Sequence, residues 1–138
     1  AITEAQITNK DAKAAGHKNR DEVIKTLKPE GTLYRFRFHL AGVDPRDTLR
    51  ATTTADDLAT VRKKLERYDW AYAVLRLIRD NPEVVSTELA PQVGMERAPF
   101  KNNVTKLKAL GLTISHSPGY RLSERGEALL RDDPAGLE

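Results

Sequence analysis

Residues 100–130 read "FKNNVTKLKALGLTISHSPGYRLSERGEALL", and this run decides the fold. Phe100, Val104 and Leu107 recur at helical spacing, so they form one apolar stripe with polar and basic residues around it. Gly111 follows at the position where a helix commonly ends, because glycine adopts the left-handed conformation without steric cost. The first part of the run therefore predicts an amphipathic helix.

The second part of the run predicts a β-hairpin and a closing helix. Apolar residues alternate with polar ones on both sides of the turn sequence Ser117-Pro118-Gly119. The apolar positions are Leu112, Ile114, Tyr120 and Leu122. Ser123 is expected to cap the helix "ERGEALLR", since a serine hydroxyl accepts a hydrogen bond from the first turn of a helix.

Shorter elements are predicted upstream of this run. A helix capped by Asp69 is expected to end before Pro82, because proline cannot continue a helix. Ser86 is expected to cap a short helix, and Gly94 makes the turn after it. The longer helix is predicted from Pro99 to Leu110, since proline is tolerated in a first turn.

Helix, short helix, turn, longer helix and hairpin form, in this order, a winged helix-turn-helix. We predict that residues 69–138 form this module, with a frayed tail after the last helix. In such a module the longer helix enters the major groove of a duplex and the hairpin contacts the flanking backbone. The sequence therefore predicts binding to DNA or RNA through the helix 99–110 and the wing 112–123.

The candidate contacts are basic, amide and hydroxyl side chains. Arginine and lysine bind phosphates or guanine edges, asparagine matches adenine, and hydroxyls bind phosphate. The candidates in and near the longer helix are Arg97, Lys101, Asn102, Asn103, Thr105 and Lys108. The others are Ser86 and Thr87 in the preceding helix, and Arg121, with His116, in the wing. Two alternatives stay open: a merely solvated basic face, and a module that docks onto a large ribonucleoprotein or polymerase assembly.

The N-terminal third predicts two short helices and an incomplete sheet. Thr8 is a suitable cap for the first helix, and the second helix begins near Asn19. Residues 32–40, "TLYRFRFHL", alternate apolar and basic side chains and predict the clearest strand of the chain. Residues 42–54, "GVDPRDTLRATTT", are rich in β-branched residues and can add another strand. One or two strands do not make a stable sheet, so this part looks incomplete.

Two further features concern the basic side of that strand and the segment after it. Arg35 and Arg37 project from one strand face, where they either follow an RNA backbone or are simply solvated. Residues 55–68 predict a connecting helix, with a break before Asp69. The resulting division is 1–54, 55–68 and 69–138, in an α+β fold.

Composition excludes several classes of function. The chain has 138 residues and no cysteine, which rules out disulfides and thiolate chemistry. Its formal charge of +3 permits a polyanionic partner. No apolar run is long enough for a membrane span and no secretory signal is present, so a cytoplasmic protein without a membrane partner is expected. The histidines lack carboxylates at ligand spacing, so no metal site is predicted. The sequence contains neither a phosphate-binding glycine loop nor a Gly-x-Ser-x-Gly motif, so no cofactor or catalytic site is predicted.

Three runs carry a family resemblance, and from the start of the first to the end of the last they span residues 7–130, nearly the whole chain. They are "ITNKDAKAAGHKNRDEVIKTLKPEGTLYRFRFHLAGVDPRDTLRA", "DWAYAVLRLI" and the opening run of residues 100–130. The sequence resembles bacterial proteins in which a domain of the ASCH family precedes a C-terminal winged helix. That family is similar to PUA domains, which are small β-barrels implicated in RNA binding.

The resemblance implies a partial PUA-like barrel in residues 1–54, whose first strands and Gly-x-Lys-x-x-Glu-x-Arg motif are expected upstream of Ala1. Gly16, Lys18 and Asp21 share three spacings of that motif, but Val23 replaces its arginine, so we interpret the match as chance. Some family members resemble RNA nucleases or hydrolases of modified cytidine. An RNA-directed hydrolase is therefore the alternative function, although none of its catalytic residues can be assigned here.

Overall fold

The structure is a computed structural model that describes residues 1–133. It is mixed helix and sheet, which confirms an α+β protein at the coarse level. Close contacts divide the chain into Ala1–Ala41 and Gly42–Glu138, whereas the sequence placed divisions at residues 54 and 68. The predicted frayed tail falls largely on residues 134–138, outside the described part. No helix within residues 1–133 is long and apolar enough to cross a membrane.

The first unit contains short helices with local caps. A 3-10 helix, Glu4–Gln6, precedes α1, Asn9–Ala14, and α2, Arg20–Thr26. The Thr8 hydroxyl accepts a hydrogen bond from the Asp11 amide at 3.1 Å, which confirms the predicted cap of α1. Asn19 likewise caps α2. Both caps form because their donors and acceptors lie within one turn of sequence.

The strand predicted at residues 32–40 is wrong. Only Leu33 forms a bridge, antiparallel to Ile2, and residues 34–40 pair with no strand in the described chain. The apolar side expected to be buried is exposed, with Phe38 at 92%. Alternation sets which side chains share a face, but a strand also needs a hydrogen-bonded neighbour, and this unit supplies none beyond Ile2.

The second predicted strand, within residues 42–54, is also wrong, because the second unit begins with α3, Pro45–Ala51. The Asp44 carboxylate accepts a hydrogen bond from the Arg46 amide at 2.9 Å. Pro45 occupies the first helical position, where its missing N–H costs nothing. A capping aspartate followed by proline outweighs the weak strand preference of the threonines.

Two longer helices supply much of the core of the second unit. They are α4, Ala55–Leu65, and α5, Ala71–Asp80. The predicted connecting helix therefore ends at Leu65, and its apolar side packs into this core. The break before α5 is confirmed, but the Asp69 cap is wrong because Trp70 occupies the cap position without a side-chain hydrogen bond.

Helix α6, Ser86–Leu89, runs into a 3-10 helix, Ala90–Val93, and a left-handed turn at Gly94. The predicted Ser86 cap is wrong: Ser86 is the first helical residue, is buried, and follows Val85 at the cap position. Helix α7 then spans Arg97–Ala109 and buries one apolar stripe, as its spacing predicted. That stripe consists of Phe100, Val104 and Leu107.

The predicted hairpin and closing helix are confirmed. Strand β1, Thr113–Ser115, pairs antiparallel with β2, Tyr120–Leu122. Helix α8, Glu124–Arg131, starts at Ser123, whose hydroxyl accepts from the Gly126 amide at 3.0 Å. The same hydroxyl donates to the Gly111 carbonyl, which ties the end of α7 to the start of α8.

Candidate nucleic-acid interface

Every charged residue of helix α7 is basic. Its thirteen residues contain no aspartate or glutamate, while four of them are lysine or arginine. Arg97, Lys101, Asn102 and Thr105 are exposed, on the side of the helix away from its buried stripe. A helix with its apolar side in a core and its basic side in solvent can bind a polyanion without losing its packing.

A hollow lies between the first turns of α7, the start of α6 and the hairpin. Its volume is about 370 Å³. It is lined by Val85, Ser86, Thr87, Arg97, Lys101, Ser115, His116, Gly119 and Tyr120. None of these residues is acidic, and neither Arg97 nor Lys101 forms an ion pair within residues 1–133. Two cations thus face a concave surface without a carboxylate to neutralise them.

The hairpin is fixed beside this hollow by side-chain and backbone contacts. The Lys108 Nζ donates to the Ser115 hydroxyl at 3.3 Å, which joins α7 to β1. The Glu83 amide donates to the Tyr120 carbonyl at 2.8 Å, which joins the segment before α6 to β2. A Cβ at Gly119 would lie 2.4 Å from the Glu83 carbonyl carbon, so only glycine fits there. The three elements around the hollow therefore hold each other in place.

The structure brings together only part of the predicted contact set. Arg97, Lys101, Thr87 and Ser86 line the hollow, although Ser86 is buried. Asn102 and Thr105 are exposed nearby on α7, whereas half-buried Lys108 is occupied by the hairpin.

Asn103, a predicted contact in the helix, has its side chain held by a neighbouring residue. It is half-buried, and its amide donates to the Met95 sulfur at 3.5 Å. This contact holds the side chain toward the turn before α7. A half-buried amide held in this way is poorly placed to read a base edge.

Two predicted contacts belong to the first unit. Arg35 is half-buried, and its guanidinium lies 2.9 Å from the Asp11 carboxylate. It also donates to the Gln6 carbonyl. Arg37 is exposed and makes no ion pair within the described chain. Of these two arginines, only Arg37 therefore presents a cation without a carboxylate partner.

Glu83 is a functional neighbour that the sequence analysis missed. Its carboxylate lies 2.7 Å from the Arg121 guanidinium and 4.0 Å from the His116 Nδ1. Arg121, the predicted wing contact, is therefore already paired with a carboxylate. No local pattern indicated this pair, because its members come from different elements that only the tertiary fold brings together.

A larger hollow elsewhere in the second unit has a different character. Its volume is about 480 Å³, and its lining includes Glu124 and Glu127 as well as Arg131. Mixed charges make it less suited to a polyanion than the hollow beside α7. No group of three histidine, cysteine, aspartate or glutamate side chains within residues 1–133 is placed to hold a metal ion.

No family model, curated protein or solved structure matches the chain in comparisons of sequence and fold.

Proposed function

We propose that the second unit is a winged helix-turn-helix that binds double-stranded DNA through α7 and the β1–β2 hairpin. The observation that carries the proposal is the acid-free hollow in which Arg97 and Lys101 stand between α7 and the hairpin. The order α5, α6, α7 and hairpin supports it, since this is the order of elements in winged helix modules.

The dimensions of α7 favour a DNA duplex. An α-helix with its side chains is about 10–12 Å in diameter and fits a major groove about 12 Å wide, and the thirteen residues of α7 extend for about 20 Å along it. The major groove of duplex RNA is deep and narrow, and side chains cannot read it. We therefore propose duplex DNA as the target and use structured RNA as the comparison.

The exposed residues would divide the contacts by their chemistry. Arg97 and Lys101 would bind phosphates, because the hollow places two unpaired cations beside the exposed side of the helix. Asn102 and Thr105 are exposed on α7 and would meet base edges. Binding is then mainly electrostatic, with a smaller contribution from base recognition.

For residues 1–54, the ASCH resemblance stays a proposal supported by the sequence runs alone. A PUA-like barrel would need strands there, and these residues contain one isolated bridge, Ile2 with Leu33. The alternative hydrolase has no residue in this chain to which a catalytic role can be assigned. The other alternative is docking onto a ribonucleoprotein or polymerase assembly. A docking module need not bind free duplex DNA, so the following experiment distinguishes it from a DNA-binding module.

The test is fluorescence anisotropy of the full chain with duplex DNA, structured RNA and single-stranded DNA. We expect the tightest binding to duplex DNA, weakened on the order of tenfold by combined Arg97→Ala and Lys101→Ala. The matched control is Lys63→Ala with Lys64→Ala, which removes the same charge from exposed positions of α4. Equal losses of affinity in both double variants would contradict the proposal. So would a chain that captures ribosomes or polymerase but shows no detectable binding to free duplex DNA.

A further inference from the structure

The segment of residues 34–40 exposes four large apolar side chains in the first unit. Tyr34 is 62% exposed, Phe36 81%, Phe38 92% and Leu40 91%. The rings of Tyr34 and Phe36 have centroids 6.4 Å apart, as expected for alternate residues on one side of an extended chain. A contiguous apolar surface of this kind marks an interaction site.

The backbone of this segment is also unpaired. No N–H or C=O of residues 34–40 hydrogen-bonds to another backbone group within the described chain. Immediately before the segment, the Leu33 carbonyl accepts from the Ile2 amide at 2.8 Å in an antiparallel bridge. A ladder thus begins at Leu33 and stops there, leaving an edge that can accept another strand.

The alternating positions between the apolar residues are cationic. Arg37 and His39 are exposed, and neither forms an ion pair within residues 1–133. Arg35 differs, since Asp11 already pairs with it. In an extended chain, Arg37 and His39 project opposite to the apolar side chains. The edge therefore offers an apolar face and a basic face to the same incoming strand.

We propose that residues 34–40 bind an extended segment of a partner protein, in which apolar residues alternate with acidic ones, by strand addition. Backbone hydrogen bonds to the free edge supply affinity. Cross-strand pairs on the two faces supply specificity: apolar residues meet Phe36 and Phe38, and carboxylates meet Arg37 and His39. The proposal concerns the first unit and does not depend on DNA binding by the second.

A second copy of the segment fits poorly. Any register that places the apolar faces together also sets Arg35, Arg37 and His39 of one copy opposite the same residues of the other. Like charges directly opposite each other destabilise a sheet. Nor does the chain contain a suitable strand elsewhere, since no two of its acidic residues are separated by a single residue.

A single-stranded nucleic acid fits less well than a peptide. Bases would have to stack on Tyr34, Phe36 and Phe38, while phosphates bind cations on the same side of the strand. In an extended segment the aromatic rings and the free cations project to opposite sides. Bases and phosphates also leave the peptide N–H and C=O groups of the edge unpaired. A peptide strand reaches both faces and the backbone at once.

The test uses the full chain and a peptide of about nine residues that alternates valine and glutamate, the length of a long strand. Amide NMR shifts of the protein report binding. We expect shifts confined to residues 33–41 and a weaker interaction, about two- to fivefold for each lost pair, in Phe36→Ser and Phe38→Ser. Both side chains are exposed, so the variants fold, and Val43→Ser is the matched control because Val43 is 80% exposed.

A charge exchange makes the test specific. Arg37→Glu should lose affinity for the glutamate peptide and gain affinity for a peptide that alternates valine and lysine, whereas exposed Lys28→Glu should change neither. Equal binding of the two peptides to the unaltered chain would overturn the proposal. The proposal would also be overturned if neither Phe36→Ser nor Phe38→Ser changed the affinity for the peptide. Self-association of the chain through these residues would overturn it as well, and so would larger amide shifts with single-stranded DNA than with the peptide.

Discussion

The guanidinium of Arg121 lies 2.7 Å from the carboxylate of Glu83. Glu83 has a left-handed φ of 64° and donates its amide to the Tyr120 carbonyl, so its backbone is fixed beside β2. Within this arrangement a carboxylate neutralises the one arginine of the hairpin, next to the hollow that contains Arg97 and Lys101. Glu83 should therefore limit how strongly the hairpin binds a phosphate.

Replacing Glu83 with glutamine should tighten binding to duplex DNA. The side chain keeps its size, the carboxylate charge is lost, and Arg121 becomes available to a phosphate. We expect affinity several-fold higher at low salt and a log-log salt slope steeper by about 0.9, the value for one additional phosphate contact. Glu66→Gln is the control, since it removes the same charge from an exposed position near the end of α4. An equal gain in the control would show a general charge effect instead.

Removing the Ser123 hydroxyl should destabilise the second unit. Ser123 is buried, accepts from the Gly126 amide and donates to the Gly111 carbonyl. Ser123→Ala leaves both groups without this partner, and loss of a helix cap alone costs about 1–2 kcal/mol. Urea denaturation measures the change in the free energy of unfolding. Exposed Thr53→Ala should leave it nearly unchanged, and a similarly small change for Ser123→Ala would contradict the structure.

Asp44 should titrate well below an ordinary aspartate. Hydrogen bonds from the Arg46 side chain and amide lower the pKa of Asp44 from 3.8 to about 2. Because the folded pKa is the lower one, the carboxylate stabilises the fold fully above pH 3.8, and this contribution is lost as pH falls through about 2. Carboxyl NMR should show this value, and Arg46→Ala should raise it toward 3.8.

The control for this titration is Arg67→Ala, which removes an arginine remote in sequence and should leave the pKa of Asp44 unchanged. An Asp44 pKa near 3.8 in the unaltered chain, or a pKa insensitive to Arg46→Ala, would contradict the geometry of this cap.

Local sequence signals predicted the second unit better than the first. The caps at Ser123 and Thr8 and the hairpin around Pro118 were predictable because their partners lie a few residues away. The strand at residues 32–40 was not, because a strand depends on a neighbour that local alternation cannot supply. At the candidate site, helical spacing indicated that Lys101 would be exposed.

Other properties of the site depended on tertiary contacts that no short pattern contains. The pairing of Arg121 with Glu83 joins the hairpin to the segment before α6. The half-buried position of Asn103 depends on Met95, which lies in the turn before α7. Spacing along one helix shows which side of it faces solvent, but it does not show which neighbour occupies a given side chain.

The most direct measurement is the salt dependence of binding to duplex DNA, because it counts the phosphates that the interface neutralises. With the two phosphate contacts of Arg97 and Lys101, log affinity should fall against log salt with a slope of about −2. Combined Arg97→Ala and Lys101→Ala should make the slope shallower by about 2, while Lys63→Ala with Lys64→Ala should leave it unchanged. A slope near zero in the unaltered chain, or the same slope in all three proteins, would contradict the proposal that α7 and the hairpin form a nucleic-acid interface.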